Sequence, residues 1–211
     1  MRESIGRYTV TGTLGEGGMG VVYAAHDERL GRAVAIKMIK AASADAAARD
    51  RLDREARSVA SINHPAICQL YEIGEDAGDL FLAMELLQGE SLATRLTRGP
   101  LPLGDAVATA LGVLHGIEAL QRQGIVHRDL KPSNIFLTPH GVKLLDFGLA
   151  TAAGSAFGAE TATRLTLPGT VVGTPQYAAP EQLQGLDVDT RTDLFAAGAV
   201  LYEMLAGKPP F

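Results

Sequence analysis

The chain has 211 residues, 46% hydrophobic and 20% charged, with a formal net charge of −5 and one cysteine. That length supports one large or two small domains with a sizeable core. The acidic balance without a dense basic run argues against a nucleic-acid partner, and a single cysteine excludes an internal disulfide framework and suits a reducing compartment.

Met1-Arg2-Glu3-Ser4 is polar and shows no signal-peptide pattern. No uninterrupted apolar run is expected to approach the roughly 20 residues of a membrane span. The best attempt, Leu194 to Gly207, contains Glu203, so no membrane contact by this segment is expected. Abundant Ala, Gly and Arg suggest a GC-rich bacterial gene. Cys68 lies in the run Ile67-Cys68-Gln69-Leu70 and reads as a small buried hydrophobe.

Residues 8–14, 20–25 and 33–40 read as strands, rich in Val, Ile, Tyr and Thr. Gly15-Glu16-Gly17-Gly18-Met19-Gly20-Val21-Val22 joins the first two. Glycines let backbone N–H groups approach phosphates closely. A dinucleotide-binding fold would place such a loop between a strand and a helix; here Val21-Val22-Tyr23 continues as a strand. No GK[ST] ending is present either. In Ala33-Val34-Ala35-Ile36-Lys37, alternation puts Ala35 and Lys37 on one face. A small Ala beside an inward Lys leaves room for a purine and places an ammonium near phosphates.

Residues 44–62 predict a helix, with Leu52, Glu55, Val59 and Ile62 on one face. A carboxylate on an apolar stripe needs a partner, and Lys37 is the candidate for Glu55. Asn63-His64-Pro65 stops this helix. Strands follow near 67–74 and 79–85, with Glu75-Asp76-Ala77-Gly78 as their turn. Gln88-Gly89-Glu90 reads as a connector between two lobes.

Helices are predicted over 91–97, 104–123 and 191–206. Between them lies His127-Arg128-Asp129-Leu130-Lys131-Pro132-Ser133-Asn134. Phosphoryl transfer needs such a set: Asp129 to accept a hydroxyl proton, Lys131 to neutralise charge, Asn134 to hold a cation. Short strands at 135–137 and 142–145 lead to Asp146-Phe147-Gly148, twelve residues after Asn134. Asp146 reads as the second cation ligand, because magnesium takes one or two protein oxygens beside phosphates and water. Residues 149–172, rich in Ala, Gly, Thr and Ser, read as a long mobile loop. Gly173-Thr174-Pro175-Gln176-Tyr177-Ala178-Ala179-Pro180-Glu181 reads as a platform for a polypeptide substrate.

Together, from Tyr8 to Phe211, these motifs resemble the eukaryotic-type (Hanks-type) Ser/Thr protein kinases, in their bacterial branch. The resemblance implies an α+β bilobal protein-kinase fold filling residues 1–211. A small β-rich N-lobe would span 8–87 and a helical C-lobe 88–211. It implies ATP with Mg2+, or Mn2+ in its place. Leu14, Gly15, Gly17 and Gly20 would cover the nucleotide, with Lys37–Glu55 as the active-state ion pair. Met84 would be the gatekeeper, Glu85 and Leu87 would offer hinge groups to adenine, and Val22, Ala35 and Phe136 would sandwich its ring. Val59, Leu70, His127 and Phe147 would stack as a spine anchored by Asp193. Lys131 and Thr174 match the pattern for Ser/Thr acceptors in protein substrates. A cytoplasmic kinase domain is implied, on a parent protein that the resemblance allows to be membrane-anchored, and a kinase-domain dimer through the N-lobe is open.

Arg128 before Asp129 suggests control by phosphorylation of 149–172, through an arginine-paired phosphothreonine. Thr161, Thr163, Thr166 and Thr170 are candidates, Thr166 and Thr170 the preferred ones, modified by autophosphorylation. Many members carry Lys or Arg soon after the Asp-Phe-Gly glycine; here Ala150-Thr151-Ala152 occupies that stretch. A phosphate pocket would then rest on Arg128 and Arg51. The family's C-lobe continues past Pro209-Pro210-Phe211, so Glu181 is expected to lack its usual arginine and apolar surface to be exposed. The isolated chain is then expected to be poorly stable and weakly active. The rival reading is a truncated or inactive ATP-binding pseudokinase or scaffold, against which stand Lys37, Asp129 and Asp146; a small-molecule phosphotransferase would not need the 173–181 platform.

Overall fold

The computed structural model describes residues 2–17, 20–39, 60–146 and 175–211. Its larger sheet holds β1 (Ser4–Ile5), β2 (Tyr8–Gly17), β3 (Gly20–Asp27), β4 (Arg32–Ile39), β5 (Leu70–Asp76) and β6 (Asp79–Glu85), in the order β1-β2-β3-β4-β6-β5. Every neighbouring pair in it is antiparallel. Val34, Ile36, Phe81 and Ala83 fill one face together with Ile5 and Tyr8, and Tyr8 meets the Phe81 ring edge-on at 5.9 Å. The other face carries Ala35 and Lys37, and the catalytic elements lie beneath it.

The second half is helical around a small sheet. β7 (Glu90–Ser91) pairs with β8 (Ile135–Thr138), and β8 with β9 (Gly141–Leu144). The helices are α1 (Leu92–Leu96), α2 (Leu103–Gln121), α3 (Pro180–Leu183) and α4 (Thr190–Ala206), with single 3-10 turns at Pro132–Asn134 and Pro175–Tyr177. α1 is capped by the Ser91 hydroxyl, which accepts from Thr94 N at 3.1 Å. α4 begins at Asp189, whose side chain accepts from Arg191 N, and ends at Gly207 in a left-handed conformation. One core joins both halves: Leu70 and Leu82 from the large sheet pack with Val113, Ile117 and Leu120 of α2, Leu144 of β9, and Val200 and Met204 of α4.

Several predicted boundaries shift. The strand expected from 67 starts at Leu70, because Ile67 bridges Leu144 and Cys68 N donates to Leu144 O at 3.0 Å. That segment stitches the two halves together instead of extending the large sheet. The turn expected over four residues needs only Ala77 and Gly78, both at positive φ, with Asp76 opposite Asp79. Glu90, read as connector, is a strand residue. Gly89 explains how the connector reaches β8: its φ is +135°, and a Cβ there would lie 2.0 Å from Leu137 O.

Among the described residues, α2 is long and apolar enough to cross a membrane by length and composition. It, and not the run from Leu194 to Gly207, is the better match to a span among the described residues, although it is not an uninterrupted apolar run. Asp105, His115 and Glu118 break the run in sequence. In the fold α2 is a core helix, burying Val113, Ile117 and Leu120 while Leu103, Val107 and Leu111 are exposed. α4 likewise exposes Leu194, Tyr202 and Leu205. Of the helix predicted over 44–62, the part up to residue 59 lies outside the described residues, as does the loop predicted over 149–172.

Candidate active site

Strand register assembles the roof of the cleft. Val22 lies opposite Lys37, Ala35 opposite Met84, and Lys37 opposite Leu82. Paired residues share a face of the pleat, so Val22, Ala35, Lys37 and Met84 face the same way. Gly15 pairs with Val22 and Gly17 with Gly20, at the mouth of the β2–β3 hairpin. Gly20 has φ +130°, and a Cβ on it would stand 2.2 Å from Met38 O; only glycine fits this approach. Leu14 is exposed on β2. Gly18 and Met19, at the tip, lie outside the described residues.

Lys37 reaches from this roof to the floor: its Nζ is 2.7 Å from Asp146 Oδ2, with both side chains largely buried. Glu55, the partner expected for Lys37, lies outside the described residues, as do Val59 and Phe147 of the expected spine and Thr166 and Thr170. Asp146 follows β9 at φ +57°. Leu145 N donates to Asn134 O at 2.9 Å, which draws the strand end carrying Asp146 to the loop carrying Asn134.

That loop is held from several sides. Lys131 Nζ lies 3.0 Å from Asp129 Oδ1 and 2.8 Å from Oδ2. Asn134 Nδ2 donates to Asp129 O at 2.8 Å and to Oδ2 at 3.0 Å. The fully buried carboxylate of Asp193, in the first turn of α4, accepts from His127 N at 2.8 Å and Arg128 N at 3.0 Å. Arg128 itself is at φ +67°, a conformation disfavoured for side-chain-bearing residues. His127 is buried, and burial lowers the imidazole pKa below its ordinary range. Such burial suits a packed ring.

The donor set suits a hard divalent cation. Asn134 and Asp146 supply amide and carboxylate oxygens, and Asn134's nitrogen is engaged by Asp129, leaving its oxygen as the atom offered to an ion. Among the described residues there is no group of three or more His, Cys, Asp or Glu that could hold a metal.

Glu85, at the end of β6, is more occupied than expected of an adenine contact. Its N–H donates at 2.9 Å to the O of Gln69, the residue just before β5. Its carboxylate accepts from Gln69 N at 3.3 Å and from Lys143 Nζ on β9 at 2.8 Å. Lys143 also donates to Ile67 O at 3.2 Å. Glu85 is thus tied across to the second half of the molecule, and its backbone carbonyl accepts from Cys68 Sγ at 3.8 Å. Leu87 and Phe136 are half-buried, and Phe136, on β8, lies opposite Ser91 and Lys143.

Beside the loop, a cavity of about 580 Å³ is bounded by Asp129, Lys131, Tyr177, Gln182 and Glu203. The Tyr177 hydroxyl donates to Glu203 Oε2, and burial, with the Glu203 carboxylate beside it, pushes the phenol pKa up. Glu181, expected to lack its usual arginine, is met by a hydroxyl: Thr192 Oγ1 donates to its Oε1 at 2.6 Å, which lowers the carboxyl pKa. Gln182 Nε2 donates to Arg128 O at 2.8 Å.

A family model described as "protein kinase domain" matches residues 8–211. The chain belongs to the protein kinase domain family. It is 44% identical to the probable serine/threonine-protein kinase SCO3848 of Streptomyces coelicolor over 98% of this chain and 31% of that protein. With serine/threonine-protein kinase PknB of Mycobacterium leprae it shares 40% identity, over 97% of this chain and 33% of that protein. The chain therefore spans about a third of the length of these relatives. Among solved structures, the PknI kinase domain of Mycobacterium tuberculosis superimposes with a TM-score of 0.79 at 29% identity, over 99% of this chain and 77% of that one. The bilobal kinase fold expected from the motifs is the fold of this kinase domain, and members of the family use ATP with a divalent metal and act on proteins.

Sequence reasoning passed over Lys143, Thr192, Gln182 and the Tyr177–Glu203 pair. Only Glu203, an isolated acid in the apolar run of α4, carried a signal: a carboxylate there needs a polar partner.

Proposed function

We propose that this kinase domain transfers the γ-phosphoryl group of ATP to Ser and Thr hydroxyls of protein substrates. The observation that carries the reading is the convergence on one cleft of Asp129, held by Lys131 and Asn134, with Lys37 and Asp146 paired above it. Asp129 orients the acceptor hydroxyl and takes its proton, while Lys131, on the same carboxylate, neutralises charge on the moving phosphoryl group. Lys37 binds the nucleotide's phosphates, and Glu85 O, the Leu87 backbone, Val22, Ala35, Met84 and Phe136 seat the base. Asn134 and Asp146 hold a divalent cation, Mg2+ by the hardness of their oxygens, which supplies charge neutralisation on the phosphates when bound.

The substrate face is the cavity beside Asp129, and Lys131 with Thr174 favours Ser/Thr acceptors. We divide the domain into an N-lobe over 8–87 and a C-lobe from 88, place it in the cytoplasm, and assign Thr166 and Thr170 as autophosphorylation sites. A kinase-domain dimer is compatible with this reading. The test is phosphoamino-acid analysis after incubation with labelled ATP, Mg2+ and a basic protein. Label on Ser and Thr is expected; label confined to Tyr, or to a metabolite, contradicts the reading. Site mapping that finds no phosphate between Ser155 and Thr174 removes the autophosphorylation assignment.

A further inference from the structure

We propose that Gln182 is a positioning residue, tying the substrate platform to the peptide that carries Asp129. The inference rests on the kinase reading above. Asp129 follows Arg128, whose φ of +67° is one that its side chain disfavours. Such a turn holds only where its surroundings fix it. Asp193 on α4 grips the N–H side, at His127 N and Arg128 N. Gln182 on α3 grips the carbonyl side: its Nε2 donates to Arg128 O at 2.8 Å. That oxygen belongs to the peptide plane attached directly to the Asp129 Cα, so its orientation sets where the catalytic carboxylate points.

The other end of the same carboxamide is engaged too. Gln182 Oε1 accepts from Ala179 N at 3.0 Å, and Gln182 N donates to Ala179 O at 3.0 Å. Both bonds anchor the start of α3, immediately after Tyr177, which borders the cavity beside Asp129. One side chain therefore joins the end of the platform to the catalytic loop. The join needs a donor at one terminus and an acceptor at the other, which a carboxamide supplies. Glutamate keeps the acceptor for Ala179 N but sets a carboxylate oxygen against Arg128 O. Lysine keeps the donor for Arg128 O but loses the acceptor for Ala179 N.

These two substitutions separate positioning from packing, and each is measured in the full chain. In Q182E we expect kcat for protein phosphorylation to fall about tenfold, with KM for ATP unchanged within about twofold, because the nucleotide contacts lie elsewhere. In Q182K, where the new side chain also borders the substrate cavity, we expect kcat to fall less than in Q182E, with the lost Ala179 bond showing as a lower melting temperature. The proposal is overturned if kcat of Q182E matches wild type, or if both variants lose kcat equally, since equal loss means that α3 packing alone is at stake. If Q182E fails to fold, Q182K decides alone: a fall in kcat of less than about tenfold supports the tie to Arg128 O, and a larger loss refutes it. A wild-type chain that binds ATP but phosphorylates no protein refutes the kinase reading itself, and the inference with it.

Discussion

Asp193→Asn removes one charge and no volume, and its effect can be worked from two hydrogen bonds. The carboxylate is fully buried and accepts from His127 N at 2.8 Å and Arg128 N at 3.0 Å. Hydrogen bonds to a charged group contribute about 1.5–3 kcal/mol each, against about 1 kcal/mol for neutral ones. Asparagine keeps one acceptor, weakened to a neutral bond, and turns an N–H toward the second donor. The expected loss is about 3 kcal/mol, a large part of the roughly 5–15 kcal/mol that holds a domain together. For a chain of this size that is a drop in melting temperature of about 6–12 °C. The released turn carries Arg128 and Asp129, so kcat should fall at least about tenfold while KM for ATP holds. Thermal unfolding by circular dichroism and steady-state phosphorylation of a basic protein read the two effects. A variant that melts within a degree of wild type with unchanged kcat refutes the claim that Asp193 supports the catalytic turn.

Gly89→Ala should destabilise the chain by about 2–4 kcal/mol, since its Cβ would collide with Leu137 O at a φ that side chains avoid; thermal unfolding checks it. Lys143→Met should cost about 1–2 kcal/mol, and a double-mutant cycle with Glu85→Gln should show most of that cost as coupling between the two; additive losses would mean that the pair contributes nothing. Cys68 should resist thiol reagents until the protein unfolds, because burial, and then the nearby Glu85 charge, push its pKa up to about 12. The folded thiol titrates above its ordinary 9.0, so its contribution to stability is present below pH 9 and is lost as pH rises toward about 12. Stoichiometric labelling of the native chain at pH 8 would contradict this burial.

The parts legible in the sequence were those whose chemistry is local. Strand alternation put Ala35 and Lys37 on one face, and the register against Val22 and Met84 bears out that placement. The spacing of Asp129, Lys131 and Asn134 on one short loop announced their mutual contacts. Periodicity failed where pairing partners are far apart in the chain. Nothing near Lys143 indicates that its ammonium meets Glu85, 58 residues earlier. The sequence offers no sign that Thr192, on the next helix, donates to Glu181, the residue expected to lack its usual arginine. β7 was missed because two residues carry no alternation, and its pairing depends on Gly89 letting the backbone reach Leu137.

The central claim is that Asp129 acts on the acceptor hydroxyl while other residues hold the nucleotide. Asp129→Asn keeps the volume and removes the base, so the comparison is ATP affinity against transfer in the same preparation. ATP binding should stay within about threefold of wild type while phosphorylation of a basic protein falls by about a hundredfold or more. Equal phosphorylation by the variant and the wild-type chain would contradict the account.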